Sequence, residues 1–153
     1  MSKAGVKITV ASINYELIKK LKSEINLVEV SPEDLFKTNC DIISPCALSG
    51  AINQSNQHQL KCKAIVGAAN NQLENPTMAE WLLKNKIIYS PDYLVNSGGV
   101  IAIACEINNT ENLLEKHLEK IADRLKAVLQ ESKKNNKSPD IVARLIAWKR
   151  INS

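Results

Sequence analysis

A chain of 153 residues with 24% charged and 44% hydrophobic side chains lies in the ordinary globular range, which excludes a disordered or low-complexity polymer. At this length roughly two thirds of the unfolded surface becomes buried, so one domain around one core is expected. The net charge of +4 comes from lysines scattered among glutamates, and with a single phenylalanine no aromatic-basic platform for nucleic acid accompanies the excess at Lys133, Lys134 and Lys137, which reads as a solvated helix end.

Met1-Ser2-Lys3 leads into a strand with no apolar leader core, and no run of about 18 apolar residues occurs, so a cytoplasmic protein that does not cross a membrane is expected. Residues 6–11, VKITVA, form a β-branched run suited to a parallel strand buried on both faces. Asn14 caps a helix to about residue 24, with Leu17, Ile18 and Leu21 on one stripe. A short strand at 27–30 follows, then Ser31-Pro32-Glu33-Asp34, a cap with proline at the first helical position and acids against the dipole. Apolar strands at 40–44 and 64–68 flank a polar helix or turn at 51–61. Asn75-Pro76 starts another helix, whose core face is Met78, Trp81, Leu82 and Leu83.

Residues 87–89 are a further strand, stopped by Ser90-Pro91-Asp92 because proline cannot donate to a ladder. Asn96-Ser97-Gly98-Gly99 then strips bulk from the backbone, so that a flat group can lie close to the main chain and to the Asn96 amide. A long amphipathic helix covers about 110–133, and Ser138-Pro139-Asp140 caps a last one carrying Ile141, Val142, Leu145, Ile146 and Trp148. Strands alternating with helices predict an α/β, doubly wound parallel sheet with right-handed crossovers and long C-terminal helices, without an internal domain boundary.

In such a sheet ligands bind at the carboxyl ends of the strands. Three polar rims sit there: Pro45-Cys46-Ala47-Leu48, Ala69-Asn70-Asn71-Gln72, and the segment around Asn96. For Asn70 and Asn71 the alternative is plain turn chemistry. His58 falls in a polar stretch and His117 on the apolar face of the long helix, where a satisfied core histidine outweighs a catalytic one. Cys40, Cys46, Cys62 and Cys105 lack CxxC spacing, so no metal site is expected; they read as small hydrophobes of a reduced protein.

Read together, CDIISPCALSGAIN (40–53), KAIVGAANNQL (63–73) and IIYSPDYLVNSGGVIAIAC (87–105) closely resemble the Glu/Leu/Phe/Val amino-acid dehydrogenases, most of all their leucine-specific members. There a strand ending in P-C-A-L-G-G, one ending in G-(A/S)-A-(D/N)-N-Q and one followed by P-D-Y-x-x-N-(A/S)-G-G-V occur in this order at nearly this spacing. The resemblance spans essentially this whole chain but only about the C-terminal half of a family enzyme.

It implies a Rossmann-like, NAD-binding domain, N-terminally truncated, from an enzyme that oxidatively deaminates a branched-chain L-amino acid to its 2-oxo acid. By the same resemblance, Ala47, Leu48, Ala69, Asn70 and Asn71 face the nicotinamide half of NAD. Asn96 lies between cofactor and substrate, and Val100 and Ile103 lie by an aliphatic substrate side chain. The family's acidic residue for the adenosine ribose corresponds to Ser12 in VASIN, which keeps a hydroxyl but loses the charge, so weakened NAD binding is expected.

The glycine-rich loop G-x-G-x-x-G and the family's N-terminal catalytic domain have no counterpart here, so no catalytic residue is assigned and no turnover is expected from the chain alone. A relic, one piece of a split enzyme and a misplaced start all remain open. In the strand order 3-2-1-4-5-6 the central first strand is missing, and an empty slot across five residues would cost on the order of 1–3 kcal/mol per unpaired amide, so some rearrangement should close it. The implied partners are a complementary N-terminal catalytic piece, or a second copy through homo-oligomer or edge-strand pairing. The alternative function is a non-catalytic nucleotide-binding or oligomerisation module.

Overall fold

The computed structural model describes residues 2–153; Met1, with what the sequence predicts of the chain's first residue, lies outside the described residues. The predicted elements form, and the architecture is an α/β fold with parallel strands. The expected single core does not form as such, because the chain divides into two compact units, each with its own ladder.

One unit holds the described residues up to Asn39 together with His58–Lys61. Its strands β1 (Ile8–Val10) and β2 (Leu27–Glu29) pair in parallel, with Ile8 opposite Leu27. Helix α1 (Tyr15–Glu24) crosses between them, and its start is set locally: the Asn14 side chain accepts from the Leu17 amide at 3.0 Å. Of the predicted stripe, Ile18 is buried and Leu21 half-buried, but Leu17 is exposed, since a lone crossover helix on a two-stranded ladder covers a narrow strip. Helix α2 (Pro32–Leu35) follows the Ser31 cap, whose hydroxyl oxygen accepts from the Asp34 amide at 3.1 Å.

The other unit, Cys40–Gln57 and Cys62–Ser153, carries most of the core. Strands β3 (Ile42–Ile43), β4 (Ala64–Ile65) and β5 (Ile88–Tyr89) lie parallel in that order, with Ile42, Ala64 and Ile88 in register on one face and Ile43, Ile65 and Tyr89 on the other. The second face is the buried one; on the first, Ile42 and Ile88 stay about half exposed. Helix α3 (Thr77–Lys84) buries Met78, Ala79 and Leu82, while Asn75 accepts from the Thr77 amide at 3.1 Å. The short α4 (Asp92–Val95) and α5 (Gly98–Ile107) follow β5, and after a 3-10 turn α6 (Leu114–Asn135) turns back through α7 (Pro139–Ile151).

Removing the first strand from the order 3-2-1-4-5-6 leaves 3-2 and 4-5-6, which are the two ladders observed. No rearrangement within the chain closes the gap: among the described residues no further strand joins either ladder. On α7 the predicted apolar face is only partly right. Val142 and Ala143 pack with Val128 of α6, and Ile146 and Leu94 close the cluster. Ile141, Leu145 and Trp148, about a quarter-turn or more away around the helix, are largely exposed. His58 is exposed and His117 half-buried. Of the cysteines only Cys105 is fully buried; Cys46, expected in the interior, is exposed on the turn after β3. No helix among the described residues is long and apolar enough to cross a membrane.

Candidate site at the carboxyl ends of the second ladder

Three turns leave the carboxyl ends of β3, β4 and β5, and backbone and amide groups knit them together. The Ala69 amide donates to the Pro45 carbonyl at 3.0 Å, tying the turn after β4 to the turn after β3. Gly67 is what permits this approach, since a Cβ there would lie 2.1 Å from the Pro45 carbonyl oxygen. From the third turn, the Asn96 side-chain amide donates to Asn70 Oδ1 at 2.6 Å and reaches the Ala68 and Ala69 carbonyls at 3.4 and 3.5 Å. The three rims therefore share one place.

Beneath them lies a support that sequence reading did not single out. Gln72 is fully buried, and its Nε2 donates to the Gly67 and Ala69 carbonyls at 2.7 and 2.9 Å, clamping the turn from inside. Its backbone amide donates to Asp92 Oδ2 at 2.8 Å, and Asp92 Oδ1 accepts from the Tyr93 amide, so one buried carboxylate links the second rim to the third. The only signal in the sequence was polar residues inside otherwise apolar turns. Tyr93 then donates its hydroxyl to the Asp140 carbonyl at 3.0 Å, and the Arg144 guanidinium, paired with Asp140 at 2.9 Å, lies 5.6 Å from the Tyr93 ring centre. Helix α7 thereby braces the turn that carries Asn96. Burial, followed by the Asp92 charge, pushes the Tyr89 phenol up, and burial with Asp140 does the same to Tyr93, so both stay neutral, Tyr93 as the donor to Asp140 and Tyr89 as an acceptor from the Asp92 amide.

The predicted site residues fall into three groups. Ala69, Asn70 and Asn96 are in direct contact through the bonds above; Ala69 is buried and offers only its backbone. Ala47 and Leu48 follow Pro45 on the first rim and are exposed, Leu48 at 80%. Asn71 adopts the left-handed conformation at φ 50°, and its carbonyl accepts from the Gly50 amide at 2.7 Å, so turn geometry already accounts for an asparagine there. Ser12 belongs to the first unit, just past β1, where its Oγ accepts from the Asn14 amide at 3.1 Å.

The glycine pair opens a helix, as an apolar helix start after a polar turn should. Asn96 ends α4, Ser97 turns its hydroxyl back to the Leu94 carbonyl, and Gly98 and Gly99 already form the first turn of α5. A Cβ at Gly99 would meet nothing, and at Gly98 only Leu118 at 3.4 Å, so no packing within the described residues demands glycine at 99. Val100 and Ile103 stand on α5 directly after this turn, 71% and 58% exposed, in a stripe continued by Ile107. What the rim presents is a set of small side chains, two amides already aligned to each other, and an apolar strip alongside. Such a surface has the chemistry to hold a flat polar group; none of these residues is an acid or base placed to move a proton.

The comparisons with known proteins agree over nearly the full chain. Residues 6–151 match the model for Glutamate/Leucine/Phenylalanine/Valine dehydrogenase. The leucine dehydrogenase of Geobacillus stearothermophilus is 37% identical over 151 residues, 97% of this chain but 41% of the relative. The L-tryptophan dehydrogenase of Nostoc punctiforme is 34% identical over 150 residues, 97% of this chain and 42% of its own, and the crystal structure of L-tryptophan dehydrogenase from that organism superposes with a TM-score of 0.92 over 96% of this chain and 44% of the other. A hetero-hexameric glutamate dehydrogenase from Thermus thermophilus shares the fold alone, at 22% identity and TM-score 0.66. Spanning about 41% of such relatives and matched at their C-terminal part, with a truncated Rossmann-like α/β fold, this chain belongs to the Glutamate/Leucine/Phenylalanine/Valine dehydrogenase family.

Proposed function

We propose that the chain is the cofactor-domain portion of an NAD-dependent amino-acid dehydrogenase whose complete form deaminates a branched-chain L-amino acid to a 2-oxo acid. The observation that carries this reading is the Asn96–Asn70 bond of 2.6 Å, which sets two amides side by side at the carboxyl ends of a parallel ladder. The residues present fit the nicotinamide end of the coenzyme: small side chains at Ala47 and Ala68, backbone groups of the 67–70 turn, and open space beside Gly99. NAD, when bound, supplies the hydride acceptor; the chain's own share is to hold the ring and its carboxamide through Asn96 and the rim backbone. Val100 and Ile103 offer an apolar wall that suits an aliphatic substrate side chain. Ser12, its oxygen engaged with the Asn14 amide, retains a hydroxyl proton for an adenosine ribose, without the charge that would reject a phosphate.

A complementary catalytic portion, on the same polypeptide or on another, would complete such an enzyme, in keeping with the 41% of the leucine dehydrogenase that this chain covers. Titration with NADH followed by fluorescence tests the reading. Binding in the micromolar range that Asn96→Ala weakens at least tenfold is expected, with no amino-acid-dependent NADH formation by the purified chain. No binding at millimolar NADH would overturn it.

A second reading, an oligomerisation module derived from the same domain, is favoured by the half-exposed Ile42 and Ile88 on one face of the β3-β4-β5 ladder. Light scattering separates the two: concentration-dependent self-association that is abolished by Ile42→Lys, without NADH binding, would favour the module.

A further inference from the structure

Cys40 and Cys62 are brought opposite each other by the register of β3 and β4. Ile42 faces Ala64 and Ile43 faces Ile65 in parallel. One step toward the amino ends, Asp41 and Lys63 form an ion pair at 2.7 Å, and the Lys63 and Ala64 amides both reach the Asp41 carbonyl at 3.0 Å, so the alignment continues past the ladder. The next pair in the same register is Cys40 and Cys62, and neighbouring strands lie about 4.8 Å apart, inside the Cα separation of about 4.4–6.8 Å that a disulfide spans. Both thiols are free and half-buried.

We propose that Cys40 and Cys62 are a cross-strand modification site, a thiol pair that a small-molecule disulfide oxidises to an intramolecular disulfide fastening β3 to β4. Neither residue belongs to the rim, which sits at the opposite, carboxyl ends of the same strands. Burial, followed by the neighbouring Cys40 thiol, pushes the Cys62 thiol up to about 11, and burial, then Asp41, raises Cys40. Both thiols are held protonated at neutral pH, so the pair reacts slowly, as a structural tie rather than a fast sensor.

The chemistry balances as two exchanges. The Cys40 thiolate attacks one sulfur of the small disulfide and expels a small thiolate, giving a mixed disulfide. The Cys62 thiolate then attacks Cys40 Sγ and expels the second small thiolate. Two protein thiols are oxidised, one small disulfide is reduced to two thiols, and the two protons end on those thiols.

The test treats the purified chain with oxidised glutathione at mildly alkaline pH and maps thiols and cross-links by mass spectrometry. Expected is a peptide joining Cys40 to Cys62 with the loss of two hydrogens, absent in Cys40→Ser and in Cys62→Ser and retained in Cys46→Ser. The oxidised chain should also unfold in urea with an equilibrium constant lower on the order of a hundredfold, as closing a loop of about 20 residues implies. A persistent glutathione adduct on either residue with the other thiol free, a cross-link through Cys46 or Cys105, a link between two copies, or unreacted Cys40 and Cys62 beside a fully modified Cys46 would overturn the proposal. The wild-type map decides the question even if a serine variant fails to fold.

Discussion

Gly67→Ala strikes the point where the turn after β4 passes over the turn after β3. A Cβ there would stand 2.1 Å from the Pro45 carbonyl oxygen, 2.6 Å from its nitrogen and 2.7 Å from its ring Cδ. All three belong to backbone or to a fixed ring, so no side chain can swing away, and the turns must part by about 1 Å or more to regain van der Waals distance. Overpacking of this kind costs about 1–3 kcal/mol. The same carbonyl accepts the Ala69 amide at 3.0 Å, and parting the turns forfeits that bond, worth about 1 kcal/mol. Stiffening of the unfolded chain by alanine returns about 0.4–1 kcal/mol. The net loss is about 1.5–3 kcal/mol, and at a urea slope of about 1–3 kcal/mol per molar the midpoint drops by roughly 1 M. The fluorescence of Trp81, on α3 of the same unit, reports the transition. A variant within about 0.5 kcal/mol of the parent would refute the claim that the two rims are in hard contact and that glycine is what allows it.

Asp92→Ala should lower stability by about 2–4 kcal/mol, since it orphans the buried Gln72 amide and removes the acceptor for Tyr93; a urea midpoint unchanged from wild type would contradict the bridging role. Lys86 holds φ 60° at the turn between α3 and β5, so Lys86→Gly should raise stability by about 0.5–1 kcal/mol in the same titration, and a fall would show that the lysine side chain has a role of its own. Because burial raises the Tyr89 and Tyr93 phenols, the folded chain keeps their protons where the unfolded chain releases them. Their stabilisation is complete below about pH 10 and is lost as pH climbs toward the folded values, so urea stability should decline from there upward. Tyr89→Phe should flatten that decline; an identical slope in the variant would exclude Tyr89 as its source.

The sequence disclosed most where the physics is local. Asn14 and Ser31 cap the helices they were expected to start, because a cap is a bond to a residue three positions on. The strands appeared where β-branched runs stood, and the polar residues after them, Asn70 and Asn96 among them, gathered at one end of one ladder. What stayed hidden depends on partners distant in the chain. Nothing near Gln72 announces that its amide will find Asp92, and nothing in α7 alone decides that Val142 rather than Ile141 turns inward. The two ladders were foreshadowed by the strand order that the resemblance implied with its first strand missing, but not by the strand runs themselves, which reveal which segments extend and not which ladders they share. At Asn71 both readings of the sequence stay in play: the left-handed backbone angle satisfies the turn chemistry, and the motif's ligand role is a separate matter.

The cluster of Val128, Val142 and Ala143, with Leu94 and Ile146 against it, draws its members from three separate helices, α4, α6 and α7. While α7 is still inside the ribosome, Leu94 and Val128 have no lid, and the segment bearing Asn96 lacks the brace that Tyr93 finds on Asp140. The α6–α7 hairpin, being short in sequence separation, should then close quickly once it emerges, and the rim would be the last feature of its unit to set. A nascent chain stalled before residue 139 therefore lacks both the cover over Leu94 and Val128 and the brace on Tyr93.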